Sequence, residues 1–291
     1  MVFSVKNVQT PADKNQFIRL PWGIYGDYSS WVPPLISERE KFLNPAYNPF
    51  FKEAEVDLFI VVSSDQTPVG RIALIVNRAH DQFYSERVGF FGMFEAINNN
   101  EVSGMLLNTA EKWCREKKLS KLVGPLNLST NHESGLLVDG FDTPPVIGMP
   151  YNPPYYADQI EQWGLSKAKD LVSLRLEITQ IPEYLESGVS RLRKRDRFSI
   201  RPIHMNRFNE EMDIMWDVYN SAWTANWGFV PMSREEFEYS IKEVKSFIKP
   251  EYFLIAEVKG EPAGFSLALP DINQVLKKMN GRLFPMGWVK F

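Results

Sequence analysis

The residues best equipped for chemistry fall between positions 125 and 156. Asn127, Asn131, His132, Glu133 and Asp139 are followed by Tyr151, Asn152, Tyr155 and Tyr156. Residues 125–154 show little periodicity, and so long a stretch without secondary structure of its own is either functional or disordered. Leu136, Leu137, Val138, Phe141, Val146 and Ile147 argue against disorder. Two readings stay open. In one, Asn131, Asp139, Tyr151, Asn152, Tyr155 and Tyr156 hold a substrate at the mouth of a sheet. In the other, Asn and Asp side chains stitch turns whose backbone Pro fixes. His132 beside Glu133 offers a general base. A metal site is not expected: His80, His132 and His204 are the only histidines, and Leu136 stands where H-E-x-x-H needs its second histidine. Cys114, the single cysteine, excludes an intrachain disulfide framework and reads as a buried thiol. G-x-S-x-G, G-x-G-x-x-G and phosphate-loop motifs are absent, so esterase, dinucleotide and nucleotide-triphosphatase chemistry lack support.

The chain that must position these residues has 291 of them, 44% apolar and 24% charged, a globular balance. Its length suggests about two domains. A net charge of −3 supplies no global field for nucleic acid or anionic lipid. No apolar run approaches the ~20 residues that span a bilayer, and the N-terminus lacks the pattern of a signal peptide. A cytoplasmic protein without a membrane partner is expected. Aromatic residues, at 13%, suggest bulky cores or an apolar pocket.

Parts of the first half recur in the second. Phe3-Ser4-Val5 returns as Phe198-Ser199-Ile200, and Trp22 and Tyr25 return as Trp216 and Tyr219. Leu58-Phe59-Ile60-Val61 returns as Tyr252-Phe253-Leu254-Ile255, and Pro68-Val69-Gly70 as Pro262-Ala263-Gly264, all at an offset of 194 or 195. Ordered matches at a near-constant offset indicate two copies of one unit. Each copy starts with a strand (residues 4–8 or 199–203) and two helices (13–25 and 34–42, or 208–222 and 234–248). A hairpin follows (58–62 with 69–76, or 252–258 with 263–269). Ser233 with Glu236 marks a capping box. Copy one continues with a strand at 88–96, a helix at 102–117, a short strand at 122–124, a helix at 158–163 and a final strand at 171–178. The expected boundaries are 1–178 for the complete copy, 179–197 for a basic helical linker and 198–291 for the first part of the second copy. By that offset about 80 residues of copy two are missing, so the chain reads as part of a longer protein.

This order of elements resembles the GNAT acyltransferase superfamily, and the whole chain resembles bacterial tandem-GNAT proteins. The closest stretch runs from Gly124-Pro125-Leu126-Asn127 through Gly135-Leu136-Leu137-Val138-Asp139-Gly140-Phe141-Asp142 to Pro150-Tyr151-Asn152-Pro153-Pro154-Tyr155-Tyr156. The resemblance implies a mixed α/β fold (α+β) with a central sheet flanked by helices. It also implies acyl transfer from acetyl-CoA or another acyl-CoA to the amine of a small molecule or peptide. In that superfamily the fourth strand pairs with the pantetheine arm, and a Q/R-x-x-G-x-G/A loop offers N–H groups to the pyrophosphate at a helix N-terminus. The matching stretch is Glu101-Val102-Ser103-Gly104-Met105-Leu106. Gly104 fits. Glu101 repels a pyrophosphate and Leu106 crowds its approach. Where many members carry a tyrosine acid, this chain carries Ile160, which cannot transfer a proton. Copy one therefore reads as a degenerate acyltransferase. If it holds acyl-CoA, the expected route is through Asn98, Asn99, Asn100 and Gly104, with Asn127 or His132 near the thioester and Glu133 beside His132 as a further catalytic candidate.

Arg191, Arg193, Lys194, Arg195 and Arg197 form a basic run opposed only by Asp196. It reads as the cationic end of a solvated linker helix. The functional alternative is a contact to phosphate or to an acidic partner, RNA included. Two functions compete: an acyl-CoA-dependent N-acyltransferase, and a non-catalytic ligand-binding or interaction module on the same fold. This chain alone is expected to be poorly active, without turnover of acetyl-CoA with small amines at a useful rate in a thiol-release assay. Robust release that Gly104→Trp abolishes would instead make copy one a working acyltransferase.

Overall fold

The computed structural model describes residues 2–177, 179–193 and 198–283. Lys194, Arg195 and Arg197 of the basic run, and Ile178, lie outside these residues. The chain forms two compact units. The first takes in residues 2–170 together with 271–283, and the second spans 171–270. These limits differ from the expected ones, because the chain returns to the first unit after building the second.

The first unit carries β1 (Phe3–Asn7), α1 (Pro11–Ile24), α2 (Ile36–Phe42), β2 (Ala54–Ser63), β3 (Pro68–Asn77), α3 (Arg78–Tyr84), β4 (Val88–Ala96), α4 (Asn100–Glu116), β5 (Lys121–Val123) and α5 (Tyr155–Trp163). Its sheet has the order β1-β2-β3-β4-β5; the first four strands run antiparallel and β5 runs parallel to β4. The fold is mixed α/β with helices on both faces of the sheet, in the class expected. Alternation along the strands sorts the core. Ile60, Ala73, Ile75, Val88 and Met93 meet Phe17 and Ile18 of α1 and Ile36 and Phe42 of α2 on one face. Ile72, Leu74, Phe91, Phe94 and Ala96 meet Val102, Leu106 and Trp113 of α4 and Tyr156 and Ile160 of α5 on the other. Thr10 and Asp13 form a capping box that starts α1, and Lys6 of β1 pairs with Asp13.

The second unit carries α6 (Glu183–Arg193), β6 (Phe198–Pro202), α7 (Phe208–Trp223), α8 (Arg234–Val244), β7 (Phe253–Val258) and β8 (Glu261–Leu267). Its antiparallel sheet has the order β6-β7-β8, the same order of strand, helix pair and hairpin that opens the first unit. The capping box of α8 is formed: Glu236 N–H donates to Ser233 Oγ at 3.2 Å, and Ser233 N–H donates to Glu236 Oε2 at 3.1 Å. Trp216 of α7 packs against the core of its own sheet and donates to the Met232 carbonyl at 2.7 Å. The last helix among the described residues, α9 (Asn273–Met279), belongs to the first unit.

Three elements depart from expectation. Residues 171–177 form no strand; Val172, Leu174 and Leu176 alternate as a strand would, yet are 81%, 80% and 79% exposed. Period-2 alternation creates a strand only where a neighbour takes up the backbone groups. Helices α3 and α9 have seven residues each, too short for a clear helical period.

One close approach fixes the sheet edge. A Cβ added at Gly92 of β4 would lie 1.9 Å from the Leu126 carbonyl oxygen, and one added at Gly124 would lie 2.3 Å from the Phe91 carbonyl oxygen. Both collisions are with backbone, which cannot rotate away. Gly92→Ala is therefore expected to destabilise the first unit by about 1–3 kcal/mol, the usual range for overpacking. The readout is a lower urea midpoint at unchanged m; an unchanged midpoint would show that the two chain segments are not held together.

Candidate functional site

The site is built around β4. Its register against β3 shifts between Arg71 and Ala73, so β4 carries a bulge opposite Ile72, and Met93 within it has φ 47°. Beyond Phe90 the parallel partner β5 has ended. Several groups along the free edge of β4 are nevertheless engaged. Leu126 N–H donates to the Phe91 carbonyl at 2.7 Å, and Met93 N–H donates to Asn127 Oδ1 at 2.7 Å. Ala96 N–H donates to Tyr156 Oη at 3.0 Å, and the Tyr155 hydroxyl donates to the Ala96 carbonyl at 2.9 Å. Gln159 Nε2 donates to the Ile97 carbonyl at 3.1 Å.

The segment that lies on β4 is a narrow hairpin of residues 125–135. Asn127 N–H donates to the Glu133 carbonyl at 2.9 Å and Gly135 N–H to the Pro125 carbonyl at 2.8 Å. Its Leu126 and Leu128 side chains are buried in the core on the α1–α2 face. Leu128 holds φ 83°, a conformation that a leucine rarely adopts and that its buried side chain offsets.

Asn127, His132 and Glu133 are brought together, but each is already engaged. Asn127 Nδ2 donates to Glu133 Oε2 at 2.7 Å, and Arg39 Nη2 stands 3.8 Å from Glu133 Oε1. The His132 ring lies edge-on to Phe42 and Phe50, with Nδ1 3.1 Å from Ser129 Oγ. Burial first, and then the nearby Arg39 charge, push the His132 pKa down to about 4. So weak a base is poorly matched to taking a proton at neutral pH.

The proposed substrate residues divide. Tyr155 and Tyr156 seal β4, as above. Asn152 is buried and clamps Leu137 from both sides: it accepts Leu137 N–H at 2.7 Å and donates to the Leu137 carbonyl at 3.2 Å. The Tyr151 hydroxyl donates to the Phe141 carbonyl at 3.0 Å. Asn131 N–H donates to Ser129 Oγ, and exposed Asp139 accepts Gly140 N–H. For most of these residues the turn-stitching reading describes the geometry.

The α4 N-terminus is also engaged. Asn99 Oδ1 accepts Glu101 N–H at 2.8 Å and Val102 N–H at 3.4 Å, and Asn100 Nδ2 donates to Gln162 Oε1 at 2.8 Å. Asn98 is exposed. Gly104 has nothing within 4 Å of where a Cβ would sit, and Leu106 is wholly buried in the core. An anion at this terminus must displace the Asn99 cap, and a pantetheine arm along β4 must displace residues 126–127. Both places are thus taken up by the chain's own groups. Among the described residues no group of three or more His, Cys, Asp or Glu is placed to hold a metal ion. Cys114 is buried, and burial pushes its thiol up to about 11. No helix among the described residues is long and apolar enough to cross a membrane.

A second constellation escaped the sequence reading. Glu95 Oε2 accepts the hydroxyls of both Tyr25 and Tyr156 at 2.7 Å, and Oε1 faces Arg71 Nη2 at 3.3 Å. Arg71 Nη1 donates to the Phe17 carbonyl at 2.7 Å, while its buried Nε has no hydrogen-bond partner among the described residues. Burial raises the Glu95 pKa, outweighing the opposing pull of Arg71 and the two hydroxyls. Burial, then the Glu95 charge, raise Tyr25 and Tyr156 well above the ordinary tyrosine value. Tyr25 stacks on Trp31 at 4.8 Å and tilts against Tyr151 at 6.2 Å. The available signal was a single charge in each of two otherwise apolar strands, Arg71 in β3 and Glu95 in β4.

Protonated His132 is disfavoured in the folded state, since its pKa falls from 6.5 to about 4. The unfolded chain then binds more protons between those values, so this residue's effect on stability is constant above pH 6.5 and turns unfavourable as pH falls from 6.5 towards 4. His132→Gln should flatten the loss of urea midpoint between pH 7 and pH 4.5. An equally steep loss would assign that slope to other groups.

No family model matches the chain. It is 38% identical over 289 residues to Protein YghO of Escherichia coli (strain K12), covering 97% of this chain and 73% of that protein. It is 37% identical over 289 residues to the bacterial ceramide synthase of Caulobacter vibrioides, covering 99% of this chain and 75% of that protein. Among solved structures, the glucosamine-6-phosphate N-acetyltransferase of Arabidopsis thaliana overlays 61% of this chain and 100% of its own at TM-score 0.36 and 7% identity. The ribosomal-protein-alanine N-acetyltransferase of Brucella melitensis biovar Abortus overlays 60% of this chain and 100% of its own at TM-score 0.36 and 13% identity.

Proposed function

This chain belongs to the family that includes Protein YghO and the bacterial ceramide synthase, and we propose that it serves an N-acyltransferase that joins an acyl group to a long-chain amine. The observation that carries this reading is the 37% identity to the ceramide synthase across 99% of the chain. A ceramide is an amide of a long-chain amino alcohol. Its synthesis from an acyl thioester forms a C–N bond, breaks the C–S bond, and passes the amine proton, through a base, to the departing thiolate.

The acyl donor, acetyl-CoA or a longer acyl-CoA, is placed outside the first unit. Supporting this is the occupied edge of β4, where residues 126–127 take the Phe91 carbonyl and the Met93 N–H. The Asn99 cap on α4 supports it as well. These observations favour a non-catalytic role for the first unit, as a scaffold or acceptor-binding module within an acyltransferase. No chemical step is assigned to Asn127, His132 or Glu133. The tandem organisation stays part of this proposal, supported by the shared order of β1-β2-β3 and β6-β7-β8.

Deleting the gene in its host should remove an N-acylated long-chain amine from the lipid extract, read by mass spectrometry, and the wild-type gene should restore it. An unchanged lipid profile would overturn the reading. A gene carrying Gly104→Trp should restore the lipid to at least half the wild-type level, because nothing packs on that glycine. Loss of restoration with normal protein abundance would return the donor site to the first unit.

A further inference from the structure

After the second unit the chain comes back to the first and fastens three of its parts together. Asn273 Nδ2, at the start of α9, donates to the Pro145 carbonyl in the exposed loop at 2.7 Å. Leu276 and Met279 pack on Leu35, with Val32 beside them, ahead of α2. Asn280 Oδ1 accepts Trp22 Nε1–H of α1 at 2.9 Å, and Ile36 N–H of α2 donates to the Gly281 carbonyl at 3.0 Å. Asn280 and Gly281 both hold positive φ, 47° and 78°. That αL pair ends α9 and turns the chain onto Trp22. The fit there is tight, since a Cβ on Gly281 would lie 2.3 Å from a Trp22 ring carbon and 3.2 Å from the Pro34 carbonyl oxygen.

The fastened parts converge on the buried Glu95. Trp22 meets Trp31 edge-on at 5.4 Å, Trp31 stacks on Tyr25, and the Tyr25 hydroxyl donates to Glu95. From the other side, the Tyr151 carbonyl lies 3.3 Å from the Tyr25 hydroxyl, and Tyr151 ends the loop that Asn273 holds at Pro145. Within that loop Val138, Val146 and Met149 are exposed.

We propose that residues 271–283 are a clasp: they hold the 138–149 loop and the α1–α2 pair closed over the Glu95 network, and their release opens that network to solvent. The inference does not depend on the acyl-transfer reading, because it concerns access to a buried carboxylate and not the reaction. It makes the accessibility of Glu95 a property of a segment more than 170 positions away in sequence.

Hydrogen–deuterium exchange on the intact chain tests it with two variants. Gly281→Ala adds a Cβ that cannot seat against Trp22. Amides of α9, of residues 25–36 and of residues 138–149 should then exchange at least tenfold faster, with β2 and β3 unchanged. Asn273→Ala, a milder change at an accessible helix end, should speed exchange in 138–149 alone. Unchanged exchange of the loop in both variants would overturn the clasp, as would full protection of α9 in Gly281→Ala. If Gly281→Ala fails to fold, Asn273→Ala decides the question alone.

Discussion

A sheet edge inside a protein must give its N–H and C=O groups to something, and here β4 gives them to its own chain. The parallel strand β5 covers β4 only to Phe90. Past that point Leu126, Asn127, Tyr155, Tyr156 and Gln159 take over one group at a time. Two missing Cβ atoms, at Gly92 and Gly124, let the backbones come that close. The positive φ of Met93 and Leu128, the hairpin of residues 125–135 and the burial of Leu126 occur at the same place. There Asn127 accepts Met93 N–H while its amide donates to Glu133.

That edge separates fold from chemistry. Architecture alone assigns no reaction. Asn127 holds the 125–135 hairpin on β4, while Glu133 and His132 are engaged by Asn127 and Ser129 within that hairpin. Among the groups that burial perturbs, the one enclosed by several charged and hydroxyl partners is Glu95, with Tyr25, Tyr156 and Arg71 around it. A buried carboxylate of this kind is a functional candidate or a structural ion pair, and its partners give the means to tell these apart.

Much of the fold was legible because its elements carry strong local signals. The β-rich runs of β2 and β3 joined by a turn, the long apolar run of β4, the amphipathic α4 and the Ser233–Glu236 box each act through neighbours close in sequence. The failures share a physical cause. Residues 171–177 have the pattern of a strand but take no strand partner, and pairing is decided far from the pattern. Helix α9 is too short to show a period and is held by Trp22, Leu35 and Pro145. At the site, the types and spacing of Asn127, His132 and Glu133 were readable. Their partners, Met93 N–H, Ser129 and Arg39, depend on how a hairpin lies across a sheet.

The late return of α9 also orders events on the ribosome. Domains commonly fold as their residues emerge, the N-terminal one first. Here the first unit lacks a piece of its own surface until residues 171–270 have been made and residues 271–283 have left the exit tunnel. At ordinary elongation rates that delay is on the order of ten seconds. During it, Trp22, Leu35 and the residues around Pro145 stay uncovered on a nascent chain. An apolar surface exposed for that long is where a holding chaperone would bind, and synthesis slowed between residues 170 and 283 would lengthen its stay.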